Sequence, residues 1–196
     1  MRIRFDGKTV VVSGAEHGFG RCITETFAQL GARVFGCDLS AAELAETAKA
    51  GVQTEMLDLT DRAAAAAWIA QIERTTAGAV DVLVNNAGGV AGQEMRPIEE
   101  VPDADWDRIL AVNIGAAFTL SRAVAAVMKR AGSGRIINIS SGAGLGPSLT
   151  GTQARQCLRL CGFETLCERP TGAADLTFSP SVRCPKRAGR KNDGRF

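Results

Sequence analysis

Residues 14–20, Gly-Ala-Glu-His-Gly-Phe-Gly, place three glycines where a chain could wrap a phosphate. They follow a β-branched apolar run, Thr9–Ser13, and precede a stretch with apolar residues at Phe19, Ile23, Phe27 and Leu30, a helical spacing. Strand, glycine loop and helix in that order form a phosphate cradle. Gly14 allows the tight turn, Gly18 allows close approach of the backbone to a ligand, and Gly20 lets the helix pack on the strand. The helix N-terminus then points N–H groups and the positive end of its dipole at a pyrophosphate. Glu16, His17 and Phe19 share this loop and are candidate contacts. Asp38 stands 24 residues after Gly14, at the end of a second apolar run. A carboxylate there binds two ribose hydroxyls and repels a 2′-phosphate. Glu16 adds negative charge, and neither acid has a Lys or Arg beside it in the sequence. The pattern points to a dinucleotide, with NAD favoured over NADP. The alternatives are an ordinary βα turn for the loop and a helix N-cap next to Ser40 for Asp38.

These groups need a scaffold to hold them. Ala32–Cys37, Val52–Leu57, Val80–Val84 and Arg135–Ser140 have the composition of further buried strands. Ser40 caps a helix over Ala41–Ala50, with Glu43 at the reciprocal capping-box position. Thr60 or Asp61 opens an alanine-rich helix that runs to about Thr76. Asp103 or Asp105 starts a long helical region that ends near Arg130 and is broken by Gly132 and Gly134. Strand–helix alternation of this kind predicts an α/β fold built from βαβ units. The sheet is expected to be a doubly wound, parallel, Rossmann-like sheet of order 3-2-1-4-5. Residues 1–150 are expected to form the dinucleotide-binding domain. After Ser141 the alternation stops. Leu158–Leu166 has the pattern of a short helix, and Pro170, Pro180 and Pro185 punctuate the rest. The C-terminal strands of such a sheet are therefore expected to be missing.

Asn85-Asn86-Ala87-Gly88 follows the fourth strand, Asn113 lies in the long helical region, and Ile139-Ser140-Ser141 ends the fifth strand. Together with the glycine loop, and in this order, they resemble the short-chain dehydrogenase/reductases from about Lys8 to Gly151. The resemblance implies hydride transfer between a nicotinamide cofactor and an alcohol or carbonyl substrate. It implies that Asn85, Ala87 and Gly88 support the sheet and meet the cofactor ribose. It also implies that Asp58, with Leu59, meets the adenine edge; helix capping by the Asp58, Thr60 and Asp61 cluster is the alternative. Ser141, with Ser140 as the second choice, is implied to hold the substrate oxygen. Asn113 is implied to anchor a water in the proton path. The alternatives are a strand end for Ser141 and a polar residue at a helix bend for Asn113.

The family completes this relay with a Tyr that transfers the proton and a Lys four residues later. A nearby cation brings the phenol pKa toward working pH. Here Arg155 and Arg159 stand at those positions, and the chain contains no tyrosine. Arginine stays protonated and cannot serve as the general acid–base. The expectation is an NAD(P)-dependent oxidoreductase by lineage that is truncated and catalytically impaired. The alternative is a nucleotide-binding or interaction protein without turnover.

Bulk composition sets the remaining bounds. With 196 residues, 45% apolar, 22% charged and a net charge of +2, the chain can build one core. Residues 1–150 carry 14 Lys/Arg and 17 Asp/Glu, whereas residues 151–196 carry 9 and 4. Four of the six cysteines (Cys157, Cys161, Cys167, Cys184) fall in that second, basic segment. The segment lacks the interleaved aromatics of a nucleic-acid surface, so no nucleic-acid partner is expected. It reads as a poorly ordered or out-of-frame tail. The cysteine spacing forms no tight knuckle, and the single histidine, His17, sits in the glycine loop, so no metal is expected. The N-terminus has no apolar signal core, and the longest uncharged stretch, Ile136 to Ala154, is rich in Gly and Ser and also holds Asn138. No membrane partner and a cytoplasmic location are expected. Any self-association is expected through the helix near 105–130, the face that the resembled family commonly uses.

Overall fold

A computed structural model of the chain describes residues 3–92 and 98–140 together with the residue pairs 165–166 and 178–179. Its centre is β1, Thr9–Ser13, in which Val10, Val11 and Val12 are fully buried. A strand buried on both faces needs a continuous apolar run, and this one has it. Arg33–Asp38 (β2) and Val82–Asn85 (β4) flank β1; Gln53–Met56 (β3) and Arg135–Asn138 (β5) lie outside them. All neighbours are parallel, and the order is β3-β2-β1-β4-β5, as the strand–helix alternation predicts.

Side chains alternate across β1 and divide the core in two. Val11 joins Leu83, Ile136, Ile69, Ile72, Leu120, Val124 and Met128 on one face, which brings in the helices Arg62–Thr76 (α3) and Ala116–Ala131 (α5). Val10 and Val12 join Val34, Val82 and Val84 on the other, against Ile23 and Phe27 of Gly18–Gln29 (α1). Helix α2, Ala41–Ala48, packs beside α1 and β3. This is the doubly wound arrangement.

The long helical region is α4, Asp103–Leu110, then one π turn, Ala111–Gly115, then α5. By length and composition the run Asp103–Ala131 is apolar enough to cross a bilayer. Its stripe of Ile109, Ala116, Leu120, Val124 and Met128 is buried, and four of these five belong to the core cluster, as in the core helix of a globular domain. α5 ends on Gly132 at φ +66°, a left-handed cap that matches the predicted stop.

Two further strands were not expected. Thr165–Leu166 (β6) and Phe178–Ser179 (β7) pair antiparallel in a separate two-stranded sheet, and β6 lies beside β5. Two residues are too few to show an alternating pattern, so neither strand is visible in the sequence. The end of the predicted helix Leu158–Leu166 is therefore strand; its residues 158–164 lie outside the described residues.

Amide exchange should follow the burial. Protection should be greatest in β1 and β4, where every residue is buried. It should be least in β3, an edge strand whose Gln53, Glu55 and Met56 are exposed. Hydrogen exchange followed by mass spectrometry or NMR measures this order directly.

Candidate functional site

The carboxyl ends of β1, β2 and β4 lie side by side in the middle of the sheet's carboxyl edge, and the candidate residues gather there. Gly14 and Gly18 adopt φ of +72° and +55°, the left-handed region that favours glycine. A Cβ at Gly14 would lie 2.8 Å from the Ala87 backbone, and one at Gly20 would overlap the Gly14 carbonyl oxygen. These two glycines are required because loop, helix and the 85–88 turn press together. At Gly18 an added Cβ meets nothing within 4 Å, so the loop is open on that side.

The turn after β4 forms the floor of the loop. Ser13 Oγ accepts from the Asn86 and Ala87 N–H groups at 3.1 Å each, and Asn86 Nδ2 donates to the Gly14 carbonyl at 2.9 Å. Asn85 is buried at the end of β4. Its Nδ2 donates to Ser121 Oγ at 3.0 Å and to Oδ1 of Asn138, its register partner on β5, at 2.8 Å. Asn113 lies in the π turn. Its Oδ1 accepts from Gly89 N–H at 2.9 Å, and its Nδ2 donates to the Gly89 and Ile109 carbonyls at 2.8 and 2.9 Å. A Cβ at Gly88 would sit 2.6 Å from Asn113 Oδ1, so Gly88 is the residue that lets the helix approach the turn.

The three helices that follow β1, β2 and β3 differ at their N-termini. Ser40 Oγ caps α2 by accepting from Glu43 N–H at 3.4 Å, and Asp61 caps α3 by accepting from Ala63 and Ala64 N–H at 2.9 Å. At α1 the N-cap is His17, which makes no side-chain cap bond, and the first turn carries no acid. The first N–H groups of α1 and its positive dipole end therefore face outward beside the open face at Gly18, a donor set that fits a pyrophosphate. His17 is exposed, with Nε2 3.4 Å from Glu16 Oε1, and Phe19 is 80% exposed at the rim.

Asp38 ends β2 with Oδ2 accepting from Glu16 N–H at 3.1 Å and Oδ1 from Leu39 N–H at 2.9 Å. Glu16 Oε2 in turn accepts from Ser40 N–H at 2.9 Å. Both acids are thus held next to the glycine loop. Asp58 is exposed and accepts from the Thr60 N–H and hydroxyl at 2.8 and 2.7 Å, which hold its carboxyl below the usual carboxylate range. The cap of α3 is Asp61 rather than Thr60. Leu59 turns its side chain into the core, leaving only its backbone toward the site. Ser140 is exposed just past β5; Ser141, Arg155 and Arg159 lie outside the described residues.

A family profile described as short chain dehydrogenase matches residues 8–153. The chain belongs to the short-chain dehydrogenases. This is a family of NAD(P)-dependent oxidoreductases. The 3-oxoacyl-(acyl-carrier-protein) reductase FabG of Escherichia coli K12 is 34% identical over 181 residues, covering 90% of this chain and 72% of the reductase. D-threitol dehydrogenase of Mycolicibacterium smegmatis is 37% identical over 148 residues, 70% of this chain and 54% of that enzyme. A solved 7α-hydroxysteroid dehydrogenase in complex with NADH and 7-oxo glycochenodeoxycholic acid superposes with a TM-score of 0.74 at 29% identity, over 82% of this chain and 64% of that one. The family profile stops at residue 153, close to the Gly151 limit read from the motifs, whereas the match to the E. coli reductase extends further along the chain.

In this short-chain dehydrogenase the sequence reading missed two residues that hold the loop. Thr47 is fully buried and donates to the Ala15 carbonyl at 2.9 Å. Arg21 lies directly on the loop: its Nη2 donates to the Glu16 carbonyl and, at 2.6 Å, to the Glu43 carboxylate. No Lys or Arg stands beside Glu16 along the sequence, but in space Arg21, in the first turn of α1, reaches back past the His17 N-cap to the Glu16 carbonyl. The Ser40 capping box is also only half formed. Glu43 turns to Arg21, and Glu16 takes the Ser40 N–H instead.

Asn113→Ala removes the hydrogen bonds to the Gly89 N–H and to the Gly89 and Ile109 carbonyls and leaves those groups to find other partners. Stability is expected to fall by about 1–3 kcal/mol, the range for unsatisfied buried polar groups. Denaturant unfolding of the variant beside the parent measures it.

Proposed function

We propose that this chain binds a nicotinamide dinucleotide at the glycine loop, NAD in preference to NADP, and that it turns over an alcohol or carbonyl substrate poorly or not at all. The observation that carries the binding reading is the uncapped N-terminus of α1 beside the open face at Gly18, with Asp38 close by. The first N–H groups of α1 hold the pyrophosphate, and Asp38 accepts from the adenosine ribose hydroxyls. Asp58 and the Leu59 backbone border the adenine, and Ala87 and Gly88 border the second ribose. The bound cofactor supplies the hydride donor or acceptor. Asn113 fixes the 88–89 turn against the helix, and Ser141 orients the substrate oxygen. With Arg155 and Arg159 at the Tyr and Lys positions, no phenol transfers the proton. The missing tyrosine also favours the second reading, a dinucleotide-binding protein without turnover.

NAD(H) is expected to bind at least about tenfold more tightly than NADP(H), a difference of ~1.4 kcal/mol. The cause is that two carboxylates face a 2′-phosphate. Asp38→Ala should narrow the gap, chiefly by weakening NAD(H). Calorimetric titration of both cofactors against parent and variant is the test. Equal affinities in the parent would sink the preference, and no binding of either cofactor would sink the binding reading.

A further inference from the structure

Arg21, Glu16, Ser40 and Glu43 form a closed ring of hydrogen bonds between the glycine loop and the start of α2. Arg21 Nη2 donates to the Glu16 carbonyl; Glu16 Oε2 accepts from Ser40 N–H; Ser40 Oγ accepts from Glu43 N–H; and Glu43 Oε2 accepts from Arg21 Nη2. Arg21 also donates to the Glu43 carbonyl at 3.1 Å and, through Nε, to Thr47 Oγ1 at 3.1 Å. Asp38 hangs on this ring through the Glu16 N–H. A guanidinium therefore lies one residue away from the carboxylate that faces the ribose 2′ position. Unopposed, such a cation would attract a 2′-phosphate. Glu43 pairs with its charge through Nη2, which also donates to the two carbonyls, while Nε donates to Thr47.

We propose that the Arg21–Glu43 pair is a specificity determinant. Arg21 positions the Glu16–Asp38 pair, and Glu43 cancels a charge that would otherwise admit NADP. Neither residue touches the cofactor in this proposal, which rests on the dinucleotide site described above. Glu43→Gln separates charge from geometry, because the amide oxygen still accepts from Arg21 while the negative charge is lost. NADP(H) affinity is expected to rise about threefold to tenfold, the effect of one partly screened charge near a surface. NAD(H) affinity should stay within about twofold, an electrostatic change too small to matter for a hydroxyl. Adding Arg21→Met to Glu43→Gln should abolish the NADP(H) gain, since the cation is then gone. A merely structural clamp would weaken both cofactors together in both variants.

The test is titration of NAD(H) and NADP(H) against the parent, Glu43→Gln and the double variant. A thermal-unfolding cycle over Arg21→Met, Glu43→Gln and their combination, without cofactor, completes it. The ring predicts that the double variant unfolds at a higher temperature than the two single shifts added together imply. An unchanged NAD-to-NADP ratio in Glu43→Gln, or parallel changes in both affinities, overturns the specificity role while leaving the cofactor site intact. Additive unfolding shifts overturn the ring itself, whether or not the parent binds either cofactor. Loss of binding in the parent with non-additive unfolding would reject the cofactor site, and the specificity role with it.

Discussion

Gly20→Ala is expected to cost both fold stability and cofactor binding, and to do so more than any other single methyl in the glycine loop. The added Cβ would overlap the Gly14 carbonyl and approach Asn86 Nδ2 at 2.7 Å. The first of these is backbone, so no side chain can rotate aside. Relief requires α1 to move off β1 or the Gly14 turn to open. The turn is pinned: its N–H donates to the Cys37 carbonyl at 2.9 Å, and its carbonyl accepts from Asn86. Overpacking of this kind costs about 1–3 kcal/mol and occasionally more. The same displacement moves the first N–H groups of α1 away from the pyrophosphate, so NAD(H) affinity should fall at least about tenfold, ~1.4 kcal/mol. Gly18→Ala provides the contrast. Its methyl meets open space, and the cost there is the φ of +55°, about 1–2 kcal/mol for a residue with a side chain. Thermal unfolding and calorimetric titration of both variants decide the matter. A Gly20→Ala protein that unfolds and binds like the parent would show that α1 does not pack on the Gly14 turn as described.

That contrast also marks what a pattern of residues can and cannot reveal. β1 and β4 were legible because a strand buried on both faces leaves a continuous β-branched run, and the order of the sheet followed from alternation alone. The loop glycines were legible as a set, but their division of labour was not. Gly14 and Gly20 serve packing against the Asn86–Ala87 turn, which is more than 60 residues away in the sequence. Arg21 has no mark in the sequence pattern because its contact with residue 16 spans the N-cap of α1 and is made by a long side chain reaching back into the loop. The π turn has no sequence signature beyond the polar Asn113 in an apolar helix, a residue for which a helix bend was one of the open readings. In space that bend and the clamp on Gly89 are one device: the wider turn brings Asn113 to the loop. β6 and β7 were invisible because two-residue strands have no period to read.

Turnover is where the largest expected effect lies. The chain is expected to reduce a panel of ketones at least about 10²–10⁴-fold more slowly than a short-chain dehydrogenase that carries a tyrosine donor, which corresponds to ~3–5 kcal/mol of barrier. The proposed cofactor site draws on β1, β2, β4 and α1, and none of its residues depends on a phenol. NAD(H) binding and turnover should therefore separate cleanly: titratable affinity, with almost no oxidation of NADH. A guanidinium is not a proton donor at working pH, so a change of pH should not rescue the rate. Arg155→Tyr with Arg159→Lys restores the acid–base pair in kind but does not supply the substrate positioning that the rest of such a site provides. Positioning is worth up to ~7–11 kcal/mol, more than the proton transfer itself, so no substantial recovery is expected from the double substitution. Stopped-flow and steady-state NADH oxidation, run beside calorimetric titration on the same samples, measure both quantities. Robust turnover in the parent would mean that a group other than a phenol transfers the proton. Robust turnover in the double variant would mean that the chain completes a substrate site as it stands.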